Sequence, residues 1–131
     1  ILKEWQDLVL QHGWAYGSEG KKLTGKTALN VLTTGGRESA YQTDGYNRFT
    51  MRQFLVPLEQ TFRLCGVEYL PPFVVHGTLR MTPEEMQSHA DGYRQLLVAL
   101  RDDRLSLDEI GDYPRLNWPP DQVARSEKEP D

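Results

Sequence analysis

The stretch Lys26-Thr27-Ala28-Leu29-Asn30-Val31-Leu32-Thr33-Thr34-Gly35-Gly36 decides the fold. Between Gly25 and Gly35 it is dominated by aliphatic and β-branched residues, which predicts a mostly buried strand ending on a glycine pair. Beyond a polar loop with Tyr41, Asp44, Tyr46 and Asn47, the residues Met51, Phe54, Leu55, Leu58, Phe62 and Cys65 recur at steps of three and four. This is the strongest helical stripe in the chain. Pro57 inside it lacks an N–H and predicts a kink or the start of a second part, and Gly66 ends the run. Val67 to Leu70 and Phe73 to His76 predict one further strand, entered through a bend at Pro71-Pro72, because prolines cannot sit in a central ladder. Thr82-Pro83-Glu84-Glu85 joins an N-cap, a proline at the first helical position and a glutamate three residues past the cap. A helix therefore starts there, with Met86, Ala90, Tyr93, Leu97 and Leu100 as its expected core face. Upstream, Ile1, Leu2, Trp5, Leu8 and Val9 predict a helix end over residues 1–12, stopped by His12-Gly13 and followed by a polar loop from Gly17 to Gly25.

The order helix, strand, helix, strand, helix implies an α/β layer fold with parallel strands. Two strands do not make a stable parallel sheet, since both faces need cover and the ladder needs neighbours. The expectation is therefore the C-terminal half of a doubly wound domain over residues 1–102. Ile1 opens in mid-helix rhythm with neither Met nor a capping residue before it, so a truncated N-terminus is expected. Residues 112–131 hold four of the eight prolines and eight charged residues. That composition predicts a tail over 103–131 that lies on the surface or is disordered.

Of 131 residues, 38% are hydrophobic and 26% charged, which excludes collagen, a wholly disordered chain and a disulfide scaffold. No apolar run approaches the ~18–20 residues of a membrane span, and the opening Ile1-Leu2-Lys3-Glu4-Trp5 carries charges where a secretion signal is apolar. With 15 Lys and Arg against 19 Asp and Glu, and no basic cluster, nucleic acid is not an expected partner. The lone Cys65 makes no internal bridge, in keeping with a reducing compartment.

Chemistry points to Thr33-Thr34-Gly35-Gly36, at the C-terminal end of the predicted strand, where open α/β sheets bind ligands. Glycine lets a backbone N–H approach a planar ligand with no Cβ between them. An isoalloxazine ring, negative near N1 and O2 when reduced, is a ligand that such fixed dipoles stabilise. The same four residues also read as a strand that simply ends in a turn. His12, His76 and His89 have no Cys or acidic neighbour at ligand spacing, so no metal site is expected and they read as solvated or satisfied side chains. Cys65 on its apolar stripe reads as a buried, inert thiol, and Ser39 near Glu38 has no histidine at a hydrolase spacing.

Several segments together carry a resemblance: Ile1-Leu2-Lys3-Glu4-Trp5, Gly13-Trp14-Ala15-Tyr16-Gly17, Leu23-Thr24-Gly25-Lys26, Thr33-Thr34-Gly35-Gly36 with Glu38-Ser39-Ala40-Tyr41, and Cys65-Gly66 with Leu70-Pro71-Pro72-Phe73. In this register the chain resembles the flavodoxin-like NAD(P)H:quinone oxidoreductases over roughly residues 1–101, most closely the ancillary subunits of bacterial glutathione-regulated potassium-efflux systems. The resemblance implies a parallel sheet with helices on both faces, FMN or FAD as cofactor, NAD(P)H as reductant and a quinone as acceptor. It further implies a homodimer and a cytoplasmic protein, peripheral on the inner membrane through a potassium-efflux antiporter. By position, Thr33, Thr34, Gly35, Gly36 and Tyr41 inherit contact with the flavin ring. Tyr41 matches a tyrosine over the ring that works with a histidine, and Asn47 stands at that histidine's place as the paired catalytic position. Asn47 hydrogen-bonds but donates no proton at neutral pH. Trp14 and Tyr16 match aromatics of the substrate pocket, contributed in the relatives by the partner subunit, while Trp14 also reads as a hydrophobic stop to the first helix. The family's flavin-phosphate site lies N-terminal to anything equivalent to Ile1. A non-catalytic interaction subunit that keeps the fold is the alternative function.

Overall fold

The computed structural model of the chain describes residues 1–119. Four short strands form two parallel pairs: β1 (Thr27–Ala28) with β3 (Glu68–Tyr69), and β2 (Val31–Thr33) with β4 (Phe73–Val75). Each of the two expected strands is thus broken in two. Pro71 and Pro72 have no N–H to give a ladder, so the break in one strand is matched in the other at Leu29-Asn30. Pairing resumes where the Phe73 N–H donates to Asn30 O at 2.9 Å.

The chain divides into two compact units. The first comprises Ile1–Ala28 and Leu55–Tyr69. Its core is Leu10, Ala15, Cys65 and Val67, with Tyr16, Leu23, Ala28 and Phe62 packed against them. Phe62 also stacks on Tyr69 at 5.9 Å. Helix α1 spans Leu2–Val9, shorter than the expected 1–12, because Leu10 already leaves helical geometry. Its inward face differs from the expected stripe as well: Gln6 and Leu10 are buried, whereas Trp5 is 49% and Leu8 66% exposed. The cluster around Ala15 and Cys65 is small, and Leu10 is the residue of this segment that joins it. Cys65 is buried, and desolvation pushes its thiol pKa up, which keeps it protonated and unreactive.

The second unit comprises Leu29–Phe54 and, among the described residues, 70–119. Leu70, Phe73, Leu96, Ile110 and Leu116 form its core, with Leu29, Val75, Tyr93, Leu100, Leu105, Tyr113 and Trp118 around them. Helix α2 (Met51–Leu64) begins in this unit and passes into the first at Leu55, where it continues through Pro57 and Thr61 Oγ1 donates to Pro57 O at 2.8 Å. Helix α3 (Pro83–Arg101) starts at the expected cap: the Glu85 N–H donates to Thr82 Oγ1 at 3.2 Å, and the Thr82 N–H donates to Glu85 Oε2 at 2.8 Å. Its buried residues are Leu96 and Ala99, with Tyr93 and Leu100 beside them, while Met86 and Leu97 are exposed. The inward face is rotated from the expected one because Phe73 meets Tyr93 at 5.2 Å and the segment after the helix covers Leu96.

That segment corrects a further expectation. Residues 103–119 include a short helix α4 (Leu107–Ile110), and Ile110 and Leu116 are core residues rather than parts of a surface tail; residues 120–131 lie outside the described ones. Four apolar anchors at irregular spacing, Ile110, Tyr113, Leu116 and Trp118, leave no periodic signal, which is why composition misread them. The segment also finishes β4. Phe73 and Val75 turn their ladder groups toward β2, so Val74 points its own to the opposite edge. There Asn117 meets both: the Val74 N–H donates to Asn117 Oδ1 at 3.1 Å, and Asn117 Nδ2 donates to Val74 O at 2.8 Å. The Leu116 N–H donates to Pro72 O at 2.8 Å alongside. On the other side, β1 and β2 are paired along one edge only, and Val31 is 47% exposed, so the first strand is not the buried one its composition predicts.

Candidate functional site

Register brings two strand exits together. Because Thr33 pairs with Val75, the turns Thr34-Gly35-Gly36 and His76-Gly77-Thr78 leave β2 and β4 side by side. Four hydrogen bonds stitch them: the Thr34 N–H to Val75 O at 2.8 Å, the Gly77 N–H to Gly36 O at 2.9 Å, and the Thr78 N–H and Oγ1 to Thr34 O at 3.0 and 3.1 Å. The Thr34 hydroxyl donates to Gly36 O at 2.9 Å and lies 3.0 Å from His76 Nδ1. A hydroxyl has one proton, so with that proton on Gly36 O it accepts from an Nδ1–H, leaving the Nε2 lone pair of His76 free. Burial lowers the His76 pKa and favours this neutral form.

Tyr41 comes from a short 3-10 turn, Glu38–Tyr41, and its ring centroid lies 5.3 Å from His76 and 6.1 Å from Phe54. A Cβ built on Gly36 would stand 3.3 Å from Tyr41 Cε2, so the absent side chain sets how closely that ring approaches the turn. A Cβ on Gly35 would instead meet Leu79 Cδ1 at 2.9 Å. Among the described residues, the N–H groups of Gly35 and Gly36 donate to no carbonyl or side chain, and both glycines are exposed. Two unpaired donors with no Cβ in front of them, beside a tyrosine ring, fit the electron-rich edge of an isoalloxazine.

Thr33, Thr34, Gly35, Gly36 and Tyr41 thus stand together in the second unit. Asn47 is in the same unit, half-buried, with its N–H donating to Ala40 O at 2.9 Å, which ties its loop to the Tyr41 turn. Trp14 and Tyr16 belong to the first unit. Trp14 is 42% exposed rather than buried as a helix stop, and Tyr16 packs edge-on against His12 at 5.5 Å. His76 is the site residue that the sequence reading passed over as merely solvated or satisfied. Its signal was positional: it follows the second strand as Thr34 follows the first, and parallel pairing makes such residues neighbours. Glu38 and Arg115 form an ion pair that ties the 3-10 turn to the segment after α4.

Comparison with known proteins agrees with the α/β arrangement of parallel strands and helices. The family described as having a flavodoxin-like fold matches residues 1–97. The glutathione-regulated potassium-efflux system ancillary protein KefG of Yersinia enterocolitica is 43% identical over 97 residues, 74% of this chain and 53% of that protein. The chain spans about half the length of the curated relatives it matches. Among solved structures, general stress protein 14 of Treponema denticola, in complex with FMN, is 40% identical with a TM-score of 0.56, over 57% of this chain and 43% of that one. An NADPH-quinone reductase of P. pentosaceus is 31% identical with a TM-score of 0.61, over 66% of this chain and 51% of that one. With the family match running through the parallel strands, the glycine turn and most of α3, this chain belongs to the flavodoxin-like fold family.

Proposed function

We propose that the chain forms the ring-binding part of a flavin-dependent NAD(P)H:quinone oxidoreductase, with FMN as the flavin, and that it serves as an ancillary subunit of a potassium-efflux antiporter. The observation that carries this reading is the pair of unpaired Gly35 and Gly36 N–H groups beside Tyr41 at the exits of two parallel strands. The FMN complex of the Treponema denticola relative and the reductase named among the structural neighbours support it. When bound, the flavin supplies the hydride relay between NAD(P)H and quinone. The chain's own residues do the rest. Gly35 and Gly36 donate to the electron-rich edge of the ring and stabilise the charge that grows there. Tyr41 covers one side and excludes water, and Thr34 and His76 hold the turn in place. The His76 ring, its centroid 5.3 Å from that of Tyr41, carries a nitrogen that can accept a proton, whereas Asn47 carries no titratable group. Trp14 and Tyr16 are proposed to line the quinone pocket of a neighbouring subunit in a homodimer working at the cytoplasmic face of the membrane. Among the described residues, no helix is long and apolar enough to cross a membrane.

Asn47 favours a second reading, a non-catalytic subunit that keeps the fold and the antiporter contact with its redox activity lost. The absorption spectrum of the purified full-length protein separates the two. Bound flavin reduced by NAD(P)H and reoxidised by quinone supports the enzyme. A colourless protein that takes up no added FMN and still binds the antiporter overturns it in favour of the second reading.

A further inference from the structure

Among the described residues, the turn that carries Tyr41 has one polar tie to another element, the ion pair in which Arg115 Nη1 donates to Glu38 Oε1. Its backbone bonds stay within the loop: the Ala40 N–H donates to Arg37 O at 3.0 Å, and the Asn47 N–H to Ala40 O at 2.9 Å. The arginine side chain is 17% exposed and the carboxylate 41%, so the pair is partly shielded from water and salt.

Arg115 projects from a fixed base. After it, Leu116 is fully buried with its N–H on Pro72 O at 2.8 Å, and Asn117 holds both backbone groups of Val74. Before it, Arg52 Nη1 from the first turn of α2 donates to Gly111 O at 2.8 Å and to Tyr113 O at 3.0 Å. A guanidinium carried on a segment pinned at both ends gives up less freedom in holding its partner. Tyr41 needs such a hold, because a cavity of about 110 Å³, lined by Tyr41, Met51, His76, Pro114 and Arg115 among others, lies between the tyrosine and this segment. Packing alone therefore leaves the ring room to shift. The family match ends at residue 97, so Arg115 inherits no role from it.

We propose that Arg115 is a positioning residue: acting through Glu38, it fixes the 3-10 turn and so the distance and angle at which Tyr41 meets His76 and the glycine turn. The consequence rests on the oxidoreductase reading above. A tyrosine already set in place does not have to be ordered when the flavin binds, so the pair raises affinity without touching the ring.

The test is amide hydrogen exchange of the full-length protein without flavin, in Arg115→Gln, Glu38→Ala and the double variant, followed by FMN titration of each. The Ala40 and Asn47 amides should exchange about tenfold faster in either single variant, while Val74 and Phe73 keep the protection of the parent. The double variant should exchange no faster than the singles, because all three lose the same interaction. Arg115→Lys, which keeps the charge, should recover part of the protection. FMN should bind about fivefold more weakly to both single variants. Glu38 is an exposed position, so Glu38→Ala carries the test even if Arg115→Gln does not fold. A purely structural Arg115, one that only pins its own segment, would release Asn117 and expose the Val74 amide as much as Ala40; that result would overturn the proposal. Unchanged exchange at Ala40 and Asn47 in Glu38→Ala, effects that multiply in the double variant, or parental FMN affinity in both singles would overturn it too. A parent protein that takes up no FMN overturns the oxidoreductase reading instead, and the exchange result, which needs no flavin, stands apart from it.

Discussion

Replacing Asn117 by alanine should destabilise the second unit by an amount readable from the Val74 edge. Val74 is 2% exposed, and its N–H and C=O both find their partner in the Asn117 amide, at 3.1 and 2.8 Å. Leaving a buried backbone group unpaired costs roughly 1–3 kcal/mol. Asn117 itself is half-buried, so water entering the space left by the amide recovers part of the loss. The expected cost for the two groups is therefore about 2 kcal/mol rather than the sum of the maxima. With a urea slope of about 1–3 kcal/mol per molar, the midpoint should fall by roughly 1 M. Amide exchange at Val74 supplies the local readout, since its N–H should lose protection while ladder donors such as Phe73 keep theirs. A midpoint shift below about 0.2 M, with the Val74 amide still protected, would refute the claim that Asn117 closes the edge of β4.

Two further outcomes follow from the site. A Gly36→Val change places a branched side chain where even a Cβ stands 3.3 Å from Tyr41, so the ring must move; FMN affinity in the full-length protein should fall by about tenfold with the circular dichroism unchanged, and equal affinity in a flavin titration would place the ring elsewhere. Burial depresses the His76 pKa below its ordinary 6.5, so the unfolded chain binds more protons than the folded one as pH drops through that value. Stability should be flat above about pH 6.5 and decline below it. His76→Asn should flatten the decline, and an NMR titration of His76 with a midpoint above 6.5 would contradict the sign.

Local chemistry alone made several features legible. The Thr82 capping box, the Pro83 start, the strand bends at Pro71-Pro72 and the glycine turn after Thr34 are properties of neighbouring residues, and they appear where the sequence puts them. Composition could not report which face of each helix is buried, because that depends on what packs opposite. Gln6 rather than Trp5 turns inward on α1, and Leu96 rather than Leu97 on α3. Nor could it report the role of residues 105–118, where isolated anchors such as Ile110 and Leu116 fill the core and Asn117 acts as the neighbour of a strand 43 residues away. The site divides in the same way. The glycine turn proposed for the flavin was legible as a motif, since glycine at a strand exit is a local signal. Joining His76 to Thr34 and Tyr41 required the parallel register of β2 and β4, and a pairing between residues 42 apart is fixed by tertiary contact, not by any short-range preference of the chain.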